Sequence, residues 1–166
     1  MKPSLRPLAR GIFAASIFTG CHALAATNTW VGDTSANWND LNWTGGNNPP
    51  LQADVLVFGL PGTSGSILNN DLPASFVING IAFNSLAGAF TFDGNAITLA
   101  GGISNNSTVL QTINFDIDIT GQRTLTTTAA GGDLILAGAL SGIGGISKAG
   151  AGILTLLNPA NTYTGE

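Results

Sequence analysis

Apolar residues alternate with polar ones in short runs along most of the chain, a pattern that predicts β-strands. The clearest runs are apolar-x-apolar triplets at 90–92, 113–115, 134–136 and 154–156, which begin 23, 21 and 20 residues apart. No segment places apolar residues at the 3.6-residue spacing of an amphipathic helix among good helix formers. The pattern therefore predicts an all-β fold.

The regular spacing of the triplets favours a stack of coils, because a repeat of this length is typical of solenoids. We predict a right-handed parallel β-helix with Asn and Gly at its corners, where the backbone must turn. Smaller apolar groups would form the other faces of each coil: Ile97 with Leu99, Leu125, and Ile143 with Ile146. An antiparallel sandwich is the competing architecture. Its hairpin signals are few, the clearest being Asn79-Gly80, a dipeptide that favours a tight turn.

Two segments ahead of the triplets carry their own predictions. Residues 54–58 are apolar on both faces, with Val55 and Val57 opposite Leu56 and Phe58. Such a strand is expected to be buried on both sides, beneath the tryptophans that precede it. Residues 61–70, rich in Gly and Ser, are predicted to form a loop.

The last twenty residues, 146–165, contain two glycine turns, a Leu-Thr-Leu strand and a polar corner before Thr-Tyr-Thr-Gly. The segment resembles the autotransporter-associated β-strand repeat, also called the passenger-associated transport repeat. Ile153 stands where that family usually has Thr, and residues 157–159 replace its usual Ser-Gly. The matching residues are Lys148, Gly150, Gly152, Leu154, Thr155, Leu156, Asn161, Thr162, Tyr163, Thr164 and Gly165.

This resemblance implies one coil of a β-solenoid in the passenger region of an exported surface protein. It covers a small part of the chain, and the residues before it resemble degenerate coils of the same kind. It implies a structural or adhesive role, with surface polysaccharide or a host or matrix ligand as the partner. Further repeats would normally follow such a motif, so we expect the chain to be either the front part of a longer protein or the product of a degraded gene.

Residues 1–25 have the pattern of an export signal. Lys2, Arg6 and Arg10 precede an apolar core, and Ala23-Leu24-Ala25 is a small-x-small cleavage site. The core is shorter than the ~20 residues that span a bilayer, so we expect no membrane insertion of the mature chain. Cys21 leaves a minor alternative, a lipoprotein anchored at that residue. The chain is therefore predicted to be exported to the cell surface, the outer membrane or the medium.

Removal of the signal after Ala25 would change the charge and the chemistry of the chain. Arg123 and Lys148 would face nine acidic residues, a formal charge of −7, and no Cys, His or Met would remain. The acidic balance argues against nucleic acid as a partner. Without His or Cys there is no imidazole base, no thiol nucleophile and no usual zinc site, so we expect neither an enzyme nor a cofactor.

All three tryptophans, Trp30, Trp38 and Trp43, lie close together near the start of the mature chain. One interpretation is a sugar-binding platform, because indole faces stack on sugar rings. The other, which we favour, is a cap, because the open end of a coil stack needs a bulky cover. The predicted organisation is thus a signal peptide at 1–25, a Trp-rich cap at 26–60, and β-helix coils at 61–166.

Two further groups could carry chemistry. Asn114, Asp116 and Asp118 should share the outward face of one strand, and two carboxylates ~6.5 Å apart could suit glycoside hydrolysis or Ca²⁺. Solvation of an outer face, which any soluble strand needs, explains them better, and we favour that interpretation. The Gly-rich segment 142–148 lacks the Gly-Lys-Ser/Thr ending of a phosphate loop and is interpreted as a turn.

Overall fold

The computed structural model describes residues 25–128 and 130–166, and these residues form strands and no helix. The export signal predicted at 1–25 lies outside them except for Ala25. The strands are β1 Thr27–Trp30, β2 Trp43–Thr44, β3 Asp54–Phe58, β4 Ile67–Asn70, β5 Phe76–Phe83, β6 Thr91–Gly94, β7 Ile97–Asn105, β8 Gln111–Ile113, β9 Ile117–Ile119, β10 Arg123–Thr127, β11 Leu134–Leu136, β12 Leu140–Ser141, β13 Ile146–Ala149 and β14 Leu154–Leu156.

The strands form a parallel β-solenoid of about four turns, which confirms the predicted fold class. One sheet stacks β4, β6, β8, β11 and β14, each parallel to the next. A larger sheet holds the other strands and divides into two branches at the long strand β7. The first part of β7 pairs with β9, and its last part pairs with β10.

The core is a set of side-chain ladders inside the coils. Equivalent inward positions of successive strands lie side by side, as in the ladder of Leu56, Ile81, Ile103 and Leu125. All four side chains are at most 1% exposed. Each buried Leu or Ile of this kind contributes roughly 1.5–3 kcal/mol. The stack is therefore held together by aliphatic contacts between neighbouring coils.

The register of the triplets differs from the prediction at one coil. Leu134–Leu136 pairs with Leu154–Leu156 as expected. The strand between Phe92 and Leu136, however, is Gln111–Ile113 and not 113–115, because Ile113 lies beside both residues. Gln111 fills a ladder position with a polar side chain. A search for apolar triplets therefore misses the strand 111–113 and selects 113–115, two residues later. A slip of two keeps the same face, which is why inward and outward positions were still predicted correctly.

Asn79-Gly80 does not form the tight turn that its sequence favours. Both residues lie inside β5, where the pairing with β3 and β7 shifts register. The strand bends there and continues onto the next face. A Cβ on Gly101 of the adjoining strand would lie 1.7 Å from the Asn79 carbonyl oxygen, so the bend needs glycine. The clearest hairpin signal is thus a corner of the coil.

Three smaller expectations are corrected as well. Residues 67–70 form β4, although the segment was predicted to be a loop, because an exposed Ile67 and a buried Leu68 follow its glycines. Val55 and Val57 are only half-buried, so β3 is covered on one side and not on two. Ile143 is exposed, and Leu140 fills the core position beside Ile117 in its place.

Candidate functional site

The three tryptophans lie inside the molecule. Trp30, Trp38 and Trp43 are 3%, 0% and 3% exposed. Their rings meet edge to face, with centroids 5.1 Å apart for Trp30 and Trp43 and 6.2 Å apart for Trp38 and Trp43. All three pack on Phe58, as expected for a strand beneath them. A sugar-stacking platform needs an exposed indole face, and these side chains offer none in this arrangement.

The segment that carries the tryptophans covers the first coil on both sheets. Trp30 and Trp43 pair across the antiparallel strands β1 and β2 at the end of the larger sheet. In the other sheet, the Trp38 amide donates to Asn69 O, and the Asn69 amide donates to Ala36 O, which covers the edge of β4. Exposed strand edges invite pairing with other chains. This arrangement supports the cap interpretation of the aromatic segment.

The indole nitrogens tie the cap to its surroundings, with one exception. Trp43 Nε1 donates to the Trp38 carbonyl at 2.7 Å, and Trp30 Nε1 donates to the Pro61 carbonyl at 3.1 Å. Trp38 Nε1 is buried and has no hydrogen-bond partner among the residues that the structure describes. Trp38 instead contacts Phe92 and Phe115 edge to face, so its position depends on ring packing.

The two carboxylates considered for catalysis or Ca²⁺ both point outward, as predicted, but they lie on a corner and on a strand. Asp116 follows β8 and accepts a hydrogen bond from the Ala139 amide at 2.7 Å. Asp118 lies in β9 and accepts one from the Ser141 hydroxyl at 3.3 Å. Each carboxylate thus bonds to the following coil. Within the described residues, no three His, Cys, Asp or Glu side chains are grouped to hold a metal ion.

The outer surface of the larger sheet carries a shallow groove of about 240 Å³. Small side chains and glycines form it where β5 and β7 bend, among them Gly80, Gly102 and Ser104. No titratable side chain lines the groove, so it offers a contact surface and no acid or base.

The family-like segment at the end of the chain forms a coil. The Gly-rich residues 142–145 lead into β13 with no helix after them, as predicted. Beyond β14 the chain lies along β12, where the Thr162 amide donates to Leu140 O and Asn161 Oδ1 accepts from the Leu140 amide. Tyr163 packs half-buried against the core.

The most perturbed carboxyl group was not predicted from the sequence. Asp54, at the start of β3, is 1% exposed. Its Oδ1 accepts from the Ala26 amide at 2.8 Å, and its Oδ2 accepts from Asn28, Asn47 and the Leu51 amide at 2.7–2.8 Å. Burial raises the pKa of Asp54, but these four hydrogen bonds outweigh it, so the pKa lies below the ordinary value.

A second polar cluster, at the corner before β8, was also missed. Asn105, Ser107 and Gln111 are each at most 1% exposed and bond to one another and to nearby carbonyls. Nothing in the local sequence separates such groups from the Asn, Ser and Gln of ordinary corners. Only the stacking of coils, which places them inside, distinguishes the two.

Comparison of the chain with protein-family models, with curated proteins and with solved structures finds no match. The described part of the chain contains no helix long and apolar enough to cross a membrane.

Proposed function

We propose that this chain is an exported, non-enzymatic β-solenoid segment with a structural or adhesive role at the cell surface or in the medium. The observation that carries the proposal is the use of its outward polar groups. Asp116 and Asp118 bond to the next coil, and the described residues assemble no cluster of acids, bases or metal ligands around a cavity. Such a surface is better suited to a structural stalk or to a broad adhesive contact than to catalysis.

The resemblance of residues 146–165 to the autotransporter-associated repeat supports an export route and a surface location. The segment occupies a complete coil position, and its Leu154–Leu156 strand pairs in register with β11. A passenger region of this kind would follow the predicted signal peptide. We therefore propose that the chain is part of an autotransporter-like passenger.

The ligand of an adhesive role would be a surface polysaccharide or a host or matrix protein, bound along an outer face. One row in the smaller sheet consists of adjacent outward residues from successive coils, in the order Thr91, Thr112, Ile135 and Thr155. The threonine hydroxyls of this row can both donate and accept hydrogen bonds. A repeated row of this kind spreads binding energy over many weak contacts.

The first test is to express the full chain in a Gram-negative host and locate the product by cell fractionation. The exported protein is then applied to immobilised neutral and acidic polysaccharides and to collagen. Thr112→Ala should change the affinity for any bound surface less than threefold, whereas the triple change at Thr91, Thr112 and Thr155 should lower it at least tenfold. Asp33→Ala, at an exposed residue outside this row, is the control.

Two results would contradict the proposal. Retention of the product in the cytoplasm would exclude an exported role. Release of reducing ends from any of the polysaccharides, abolished by Asp116→Asn with Asp118→Asn, would show an enzyme in place of a scaffold.

A further inference from the structure

Asp54 holds the backbone nitrogen at which the predicted export signal would be removed. The signal ends at Ala25, and the next residue, Ala26, donates its amide to Asp54 Oδ1 at 2.8 Å. We propose that signal removal turns this contact into a partly buried ion pair, in which Asp54 receives the new α-ammonium group of Ala26 and fixes the first coil. The proposal rests on the export part of the proposed function.

The chemistry of the step is simple hydrolysis. Water, activated by a signal peptidase of the exporting membrane, adds across the Ala25–Ala26 peptide bond. Ala25 leaves with a carboxylate, and Ala26 keeps its nitrogen as an ammonium group at neutral pH, because the pKa of an ordinary α-amine is about 7.7–8.0. An amide donor thereby becomes a cation at the same place in the molecule.

Ala26 is held by residues that the mature chain would keep. Its carbonyl oxygen accepts a hydrogen bond from the Val55 amide at 2.8 Å, and its nitrogen is held by Asp54. Ala25 is exposed, so its departure removes no buried contact and opens the nitrogen to solvent on one side. The ammonium group can direct one hydrogen at Asp54 and the others at water.

Asp54 is suited to receive a cation. It is 1% exposed, and all four groups that now donate to it are neutral: two backbone amides and the side chains of Asn28 and Asn47. No Lys, Arg or His of the described residues pairs with it. A buried carboxylate without a counter-ion is costly, and a cation at hydrogen-bond distance relieves that cost.

The ion pair would stabilise the cap because the same carboxylate joins its parts. Oδ2 holds the Leu51 amide and Asn47 in the loop after β2, and it also holds Asn28 in β1. Asn28 in turn accepts from the Asn47 amide. Processing would thus tighten the contact among β1, the loop and β3 at the covered end of the solenoid.

The α-amine of Ala26 can be observed without interference from other amines. Beyond residue 25 the sequence has a single lysine, Lys148, which is exposed and donates to nearby carbonyls. In a Lys148→Arg variant of the exported full chain, the α-amine is the only primary amine left after processing. Reductive methylation with ¹³C-formaldehyde then gives one NMR signal, whose shift against pH yields the proton dissociation constant.

We expect intact-mass analysis to place the processed N-terminus at Ala26. We expect the proton dissociation constant of its amine to be at least tenfold lower than that of an ordinary α-amine. Asp54→Asn in the same background should restore the ordinary value, and Asp33→Asn, at an exposed acid without hydrogen bonds in the structure, should not.

An ordinary dissociation constant in the Lys148→Arg protein would overturn the ion pair even if Asp54→Asn fails to fold. Processing at another residue would overturn the assignment of the site while leaving the solenoid and its adhesive role standing. Loss of adhesion with an intact ion pair would instead contradict only the proposed function.

Discussion

Buried polar side chains in this molecule are placed where strands begin or corners close, and they hold the backbone there. Asp54 is the strongest case, because a single carboxylate accepts four hydrogen bonds while almost entirely removed from water. Hydrogen bonds to an ionised acceptor are about twice as strong as neutral ones. The residue therefore acts as a clamp on the segments around it.

Acid should weaken this clamp. The pKa of Asp54 in the folded chain lies below its ordinary value, so its contribution to the free energy of unfolding is complete above about pH 4. It is lost as the pH falls through the lower, folded-state pKa. Thermal unfolding followed from pH 6 to pH 2 should show a steeper loss of Tm in the parent than in Asp54→Asn.

The same variant should be less stable than the parent at pH 7 by about 1–3 kcal/mol, because Asn presents an NH₂ group to donors. Asp33→Asn serves as the control, since Asp33 is exposed and should leave both the Tm and its pH slope unchanged. Equal pH slopes for the parent and Asp54→Asn would contradict the assignment.

Trp38 contributes to the free energy of unfolding through its ring contacts and not through a hydrogen bond of its indole nitrogen. It is fully buried and touches Trp43, Phe58, Phe92 and Phe115. Trp38→Ala should lower the free energy of unfolding by about 3–5 kcal/mol in urea titrations. Leu41→Ala in the same segment, where the side chain is 65% exposed, should stay within about 0.5 kcal/mol of the parent. A small effect of Trp38→Ala would show that the cap is loosely packed.

At the scale of the strand, Gln111 occupies a ladder position that is otherwise hydrophobic, and its side chain makes hydrogen bonds there. It lies beside Leu134 in the stack, its Oε1 accepts from the Phe90 amide, and its Nε2 donates to the Gly88 carbonyl. The side chain thus holds the corner that precedes β6. A hydrophobic side chain could fill the space but could not make these bonds.

Gln111→Leu should therefore destabilise the protein although it would complete the apolar triplet. The expected loss is about 1–3 kcal/mol, the cost of leaving a buried donor and acceptor unpaired. Thr112→Ser, at the next, outward residue, should change little and serves as the control in the same urea titrations. A Gln111→Leu protein as stable as the parent would mean that the pattern of apolar triplets alone determines the register.

The sequence predicts strands, faces and the coil period here, and it fails where a residue is used against its usual preference. Ladders of Leu and Ile gave the right pairing of β11 with β14. The register at Gln111 was predicted wrongly, because in sequence a buried glutamine cannot be told from one at a corner. The turn at Asn79-Gly80 was predicted wrongly, because the same dipeptide can occupy a β-bulge within a strand. Asp54 could not be found, since its partners at Ala26, Asn28 and Asn47 are brought to it only by the stack.

At the scale of the whole molecule, the coils differ in how extensively their strands pair with neighbouring strands. β5 and β7 pair on both sides over long stretches, whereas β14, among the described residues, pairs with β11 alone. Leu154 and Leu156 are half-buried, in contrast to Leu134 and Leu136. The stability of a solenoid is roughly a sum over neighbouring repeats, so it should vary from coil to coil.

Native-state hydrogen exchange should reveal this gradient. Backbone amides of β5 and β7 should exchange at least tenfold more slowly than those of β13 and β14, because opening the last coil breaks fewer contacts. Mass spectrometry of peptic fragments is sufficient to compare the two ends. Uniform protection along the stack would show that the molecule unfolds as one unit.

The antiparallel return of β2 over β1 also allows this end of the molecule to assemble before the later coils. The segment from Thr27 to Phe58 closes on itself, because β1 pairs with both β2 and β3, and this pairing can form without the later coils. Each later coil then finds a finished strand edge on which to form. Because synthesis starts at the N-terminus, this segment is complete before the coils that stack on it have been made.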